Sequence, residues 1–173
     1  MKLQHFILAG FLGLVFASCD LSGRAEHTPH ISFRAMRIVD GDTTFLRFTH
    51  APLDTLVVGD TVFFQTGLDG VFHALSEFSI TRNRDSSADF IWGPKDSLNK
   101  YFTSASDFDK AIFKMPETYS ALNFPFQLVA KEADENLTLT FNLRSTASRD
   151  FNTTAVPIRI PIKEAEEEKE ELE

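Results

Sequence analysis

The 173-residue sequence has one cysteine, Cys19, so no disulfide can close within the chain and a folded domain has to rest on an apolar core. Tryptophan occurs once and tyrosine twice, which leaves few flat polar rings for ligand stacking, although there are 18 phenylalanines. Basic residues number 17 against 25 acidic ones and form no cluster, which argues against nucleic acid as a partner. There is no Gly-x-Ser-x-Gly elbow, no His-Glu-x-x-His, no phosphate-cradling glycine loop and no Ser-x-x-Lys. Histidines 27, 30, 50 and 73 stand at none of the spacings that zinc sites use. The expectation is a protein that is not an enzyme and carries no cofactor. A hydrolase using two carboxylates far apart in sequence is the residual alternative. No apolar run reaches the roughly 20 residues of a membrane-crossing helix.

The longest apolar run, Phe6 to Ala17, follows Lys2 and ends at Ala17-Ser18-Cys19. That order is the pattern of a cleaved secretory signal peptide. Phe16-Ala17-Ser18-Cys19 resembles the lipobox of bacterial lipoproteins. The resemblance implies cleavage before Cys19 and acylation of Cys19, with the membrane reached through that lipid anchor. It also implies a place in the cell envelope, at the outer membrane of a Gram-negative bacterium. One acyl chain binds a bilayer marginally, whereas two or three hold firmly. Residues 1–18 are then signal peptide, 19–28 the lipidated cysteine and a polar tether, 29–162 one domain, and 163–173 an acidic disordered or helical tail. Lys2 is the one charged residue removed with the signal, so the remaining chain has a net charge of −9. The tail holds −5 of it, and the domain is only mildly acidic.

Within the domain the apolar period is two. Ile31, Phe33 and Ala35 alternate with polar residues, and Asp40-Gly41 predicts a hairpin turn before Thr44, Leu46 and Phe48. Further strands are expected at 55–58, 61–66, around Phe78 and Ile80, at 90–92, and at 111–115. The cleanest alternation runs through Phe124, Phe126, Leu128 and Ala130, and through Leu137, Leu139, Phe141 and Leu143. Gly67 to Gly70 reads as a turn, and Asp96 as the cap of a short helix with Leu98, Tyr101 and Phe102 on one face. Pro157 and Pro161 lack donors on the same edge of a last strand, 156–162, which predicts a sheet margin left open on that side.

About nine short strands imply an all-β fold, a single antiparallel two-sheet sandwich. Asp54 to Val62 and Phe126 to Phe141 resemble the early strands and final hairpin of Ig-like or cadherin-like domains in envelope lipoproteins. That resemblance implies an extracytoplasmic module for binding, adhesion or spacing. The expected function is non-catalytic binding of another envelope protein or a glycan, with a structural spacer as the competing reading. Most phenylalanines fall on inward parity, so Trp92 and Tyr101, in the irregular 83–109 segment, are the candidate ligand contacts. The aspartate pairs 40/42 and 54/60 offer oxygen to calcium but serve turns equally well. The triplets Asp42-Thr43-Thr44, Asp54-Thr55-Leu56, Asp60-Thr61-Val62 and Asp96-Ser97-Leu98 resemble an O-glycosylation acceptor of Gram-negative bacteria, and mark Thr43, Thr55, Thr61 and Ser97.

Overall fold

The computed structural model describes residues 27–39, 42–46 and 53–165. Period-two alternation becomes eleven strands: β1 (His30–Val39), β2 (Asp42–Leu46), β3 (Leu56–Val57), β4 (Thr61–Asp69), β5 (Leu75–Arg82), β6 (Ala88–Ile91), β7 (Ile112–Lys114), β8 (Ala121–Ala130), β9 (Thr138–Ser145), β10 (Thr153–Arg159) and β11 (Ile162–Lys163). One antiparallel sheet has the order β2-β1-β4-β8-β6 and the other β10-β9-β5-β7, while β11 and β3 form a short parallel pair. The runs β1-β4-β8-β6 and β5-β9-β10 follow the A-B-E-D and C-F-G orders of a constant-type Ig sandwich. Strand β2 extends the first sheet and β7 the second.

The two inner faces interlock through phenylalanine. Phe141 on β9 is fully buried, with its ring 4.6 Å from that of Phe33 and 6.2 Å from those of Phe64 and Phe126, all on the opposite sheet. On β5, Phe78 meets Phe124 of β8 edge-on at 5.8 Å. Large aromatic side chains on alternate positions supply the volume that a disulfide-free sandwich needs between its sheets.

Several expectations change in detail. Gly67 lies inside β4, because the strand runs on to Asp69 and pairs Gly67 with Ser32 and Asn123. The turn starts at Gly70, where a Cβ would stand 2.2 Å from the His73 carbonyl oxygen. The helical turn Lys95–Leu98 starts after Pro94 with no side-chain cap, so Asp96 sits in its first turn. Leu98 and Phe102 are buried, while Tyr101 faces outward.

The last strand is also divided. Strand β10 is a sheet margin as expected, but the chain breaks at Ile160-Pro161 and continues as β11. The proline-bearing edge is not left open beyond Arg159. Leu53, Leu56 and Val58 donate their N–H groups to the carbonyls of Arg159, Pro161 and Lys163. At Pro161 the neighbour gives the hydrogen bond, which suits a position where proline has no N–H to offer. Lys163, placed at the start of the tail by sequence, therefore belongs to the sheet, and residues 164–165 beyond it are exposed. Cys19, Asp40, Gly41, Phe48, His50 and residues 166–173 lie outside the described residues.

Candidate functional site

The outer face of the five-stranded sheet departs from ordinary antiparallel patterning. One-sided sheets alternate apolar-in with polar-out. Here the register places Phe45, Met36, Phe63, Gln127 and Ile91 in one transverse row across β2, β1, β4, β8 and β6. All five point away from the core, and four are apolar. Phe45 is 64 % exposed and Ile91 47 %, with Ile38 at 53 % on the same face. Neighbouring strands lie about 4.8 Å apart, so the row spans roughly 19 Å.

Around this row the face is mixed, with Ile38, Val129 and Pro125 beside polar groups. Arg34, Gln65 and Asn123 stand on one side, and Asp89, paired with Lys131 at 3.6 Å, on the other. Two shallow hollows share Gln65. One of about 430 Å³ is lined by Met36, Phe63, Ile91, Trp92, Pro125 and Gln127 among others. Its neighbour, about 400 Å³, lies over Ser32, Arg34, Gly67 and Asn123, where glycine leaves the surface bare. The second sheet supplies the contrast. Its outer positions pair Glu77 with Arg144, Ser79 with Asn142, Thr81 with Thr140 and Pro157 with Thr140, a mostly polar surface. An apolar centre ringed by amides and isolated charges is the anatomy of a docking surface.

The sequence-derived candidates fall in separate places. Trp92 is half-buried, stacked 5.0 Å from Phe90 and packed against Phe113 and Phe124, with its Nε1–H donated to the Phe108 carbonyl at 3.0 Å. It borders both the apolar hollow and one of about 890 Å³ over residues 92–109. Tyr101 turns elsewhere, with its ring 6.2 Å from that of Tyr119. Thr43, Thr55 and Ser97 are exposed, whereas Thr61 is half-buried within β4, paired with Val129. Asp60, beside it, accepts from Arg37 and from the Val57 N–H, each at 2.9 Å.

Chemically reactive groupings are limited. Ser87 donates to Asp134, whose carboxylate also accepts the Asn136 N–H at 2.9 Å and faces Arg84 at 3.7 Å. Burial raises the pKa of Asp134, but the hydrogen bonds from Asn136 and Ser87 and the charge of Arg84 outweigh it and leave the group below its ordinary range. A hydrogen bond from Lys110, 2.9 Å away, lowers the pKa of Asp107, and Asp107 raises the pKa of Lys110 in return. Ser87 and Asp134 are both buried, which closes the hydroxyl to a substrate, and the Asp107–Lys110 pair is an exposed ion pair. Among the described residues no three His, Cys, Asp or Glu side chains converge on one point.

What sequence reasoning passed over is the sheet face itself. Its signal is present in adjacent apolar pairs, Phe63-Phe64, Ile91-Trp92 and Phe45-Leu46, which place an apolar group on both faces of a strand. No protein-family model matches the chain, and no curated protein matches it at a significant level.

Proposed function

We infer that the chain is a non-catalytic, lipid-anchored module of the cell envelope that docks a partner protein on the outer face of its five-stranded sheet. The observation that carries this reading is the row Phe45, Met36, Phe63 and Ile91, which with Ile38 makes an apolar strip on a sheet face where polar residues are expected. Met and Phe at the centre of a patch, with charge confined to its rim, fit a protein interface. A glycan is less well served, because the single indole spends its N–H on Phe108 and its faces on neighbouring phenylalanines. Attachment through Cys19 keeps the module in the envelope, where such a face meets its partner without a high-affinity contact.

The test is site-specific photo-crosslinking in the producing cell, from positions 45 and 91 and, as a control, from position 142 on the other sheet. A partner captured from 45 and 91 but not 142 fits the reading. The purified partner should bind the Phe45→Ser/Ile91→Ser chain at least about tenfold more weakly, the scale of one hot-spot residue or more. Equal capture from 142, or unchanged affinity, would overturn the site. Binding on a glycan array that is lost with Gln65→Ala and Gln127→Ala would reassign the face to sugar, and no capture from any position would leave a spacer.

A further inference from the structure

The sandwich has two unlike ends, and the chain leaves toward Cys19 from only one of them. At that end β1 begins at His30 and three loops gather: 70–74, 115–120 and 146–152. They are tied by Gly70 N–H to Ser120 O at 2.7 Å, Leu75 N–H to Tyr119 O at 2.6 Å and Thr146 N–H to Ala74 O at 2.8 Å. Phe72 stands at the tip of the first loop, 63 % exposed, and Phe151 in the third is exposed as well. Val71, beside Phe72, is held at φ 60° with its N–H on Asp69 Oδ1, a conformation that β-branched residues rarely adopt. The imidazole of His27, the first described residue and part of the tether, packs 5.4 Å from the Phe72 ring. The aromatic tip and the exit of the tether are thus the same place.

The opposite end is charged. Among the described residues its loops present Arg84, Asp85, Lys131, Glu132 and Glu135, with Val57 and, near the end of β1, Ile38 as exposed large apolar groups. Between Cys19 and His27 there are eight residue steps, which reach on the order of 28 Å when fully extended. A chain acylated at Cys19 therefore holds this end within that distance of the lipid.

We propose that the loop tips carrying Phe72 and Phe151 are a membrane-contact site, which seats the sandwich end-on in the interfacial layer of the bilayer to which Cys19 is attached. The proposal rests on the lipid-anchor reading. Phenylalanine, like tryptophan and leucine, buries readily at the boundary between headgroups and acyl chains, and the 70–74 loop carries no acid or lysine to resist entry. Glu117 and Asp150 on the adjacent loops confine the contact to the tips. End-on seating leaves the outer face of the five-stranded sheet standing perpendicular to the membrane and open to a partner.

Phe72→Trp and Phe45→Trp chains, each retaining Trp92 as an internal reference, are isolated from membranes and reconstituted in phosphatidylcholine vesicles brominated near the headgroups. Intact mass reads the acyl groups on Cys19 separately. The expected result is strong quenching of the emission added at position 72 and none at position 45. An acylated chain with no quenching at 72, or with equal quenching at both positions, overturns the contact while leaving the anchor intact. A chain without acyl groups that still binds vesicles and is quenched at 72 keeps the contact and sinks the anchor. One that neither carries acyl groups nor binds sinks both. Slower amide exchange in 70–74 and 146–152 on vesicles than in detergent, measured on the unaltered chain, is expected alongside. Its absence counts against the contact.

Discussion

Ser87 Oγ donates to Asp134 Oδ2 across 2.8 Å, and the two buried side chains join the connection after β5 to the connection after β8. Asp134 also exchanges both backbone hydrogen bonds with Ile162 on β11, at 2.9 Å each way. One residue thus ties together both sheets and the short parallel pair at the end away from the tether. Removing its carboxylate leaves the Ser87 hydroxyl and the Asn136 N–H without their acceptor. Asp134→Ala should cost about 1–3 kcal/mol, read by denaturant unfolding. A neutral result would mean that water replaces the carboxylate without loss.

The same group sets a pH dependence. Its folded pKa lies below the ordinary value, so its contribution to stability is complete above the unfolded pKa of about 3.9. That contribution fades as pH falls through the lower, folded value. The difference in melting temperature between the native chain and Asp134→Asn should be constant from about pH 5 upward and shrink below about pH 4. A gap that widens toward acid would reverse the assignment.

Much of this architecture is legible in alternation alone. Leu137, Leu139, Phe141 and Leu143 read as an inward row, and each is buried. Alternation says little where both parities are apolar, as at Val62-Phe63-Phe64, and there the outward Phe63 is hidden in a run that looks like core. Turn signals mislead where glycine serves a different need. At Gly67 it admits Ser32 from the neighbouring strand, with a Cβ falling 2.4 Å from Ser32 Oγ. The prolines of the last strand could be assigned to one edge, but no local pattern reveals that residues 53–58, a hundred positions earlier, supply donors to that edge.

Phe141→Ala probes the centre of the core. The ring touches phenylalanines from β1, β4, β5 and β8, so neighbours on both sheets would have to move to refill its space. A loss of about 3–5 kcal/mol is expected, a large part of the stability of an ordinary domain. Chemical denaturation with an unchanged m-value checks it, and a loss below about 1 kcal/mol would mean that the core is loosely packed.

Trp92→Phe keeps most of the ring contact and deletes one donor. The Phe108 carbonyl then loses the indole N–H that holds the 104–111 segment against the sheet. The expected cost is about 0.5–1.5 kcal/mol, together with faster amide exchange in that segment alone. Exchange that rises uniformly over the domain would show instead that Trp92 acts through the core.

The C-terminal boundary gives the sharpest contrast between neighbouring truncations. Residues 164–165 are exposed, and the glutamates beyond repel one another, so ending the chain after Lys163 should leave the melting temperature within about a degree. Ending it after Pro161 removes two more residues with a very different outcome. Ile162 is 1 % exposed, its backbone exchanges two hydrogen bonds with Asp134, and Lys163 accepts the Val58 N–H at 2.9 Å. Burying such a side chain contributes about 1.5–3 kcal/mol, and each backbone bond adds about 1 kcal/mol. The shorter chain should therefore lose several kcal/mol and free residues 53–58, which show as a new protease-sensitive segment. Ile162→Ala in the full chain should reproduce part of the loss, about 2–5 kcal/mol, without the cleavage. If the first truncation already lowered stability as much as the second, the acidic tail would be docked on the sandwich.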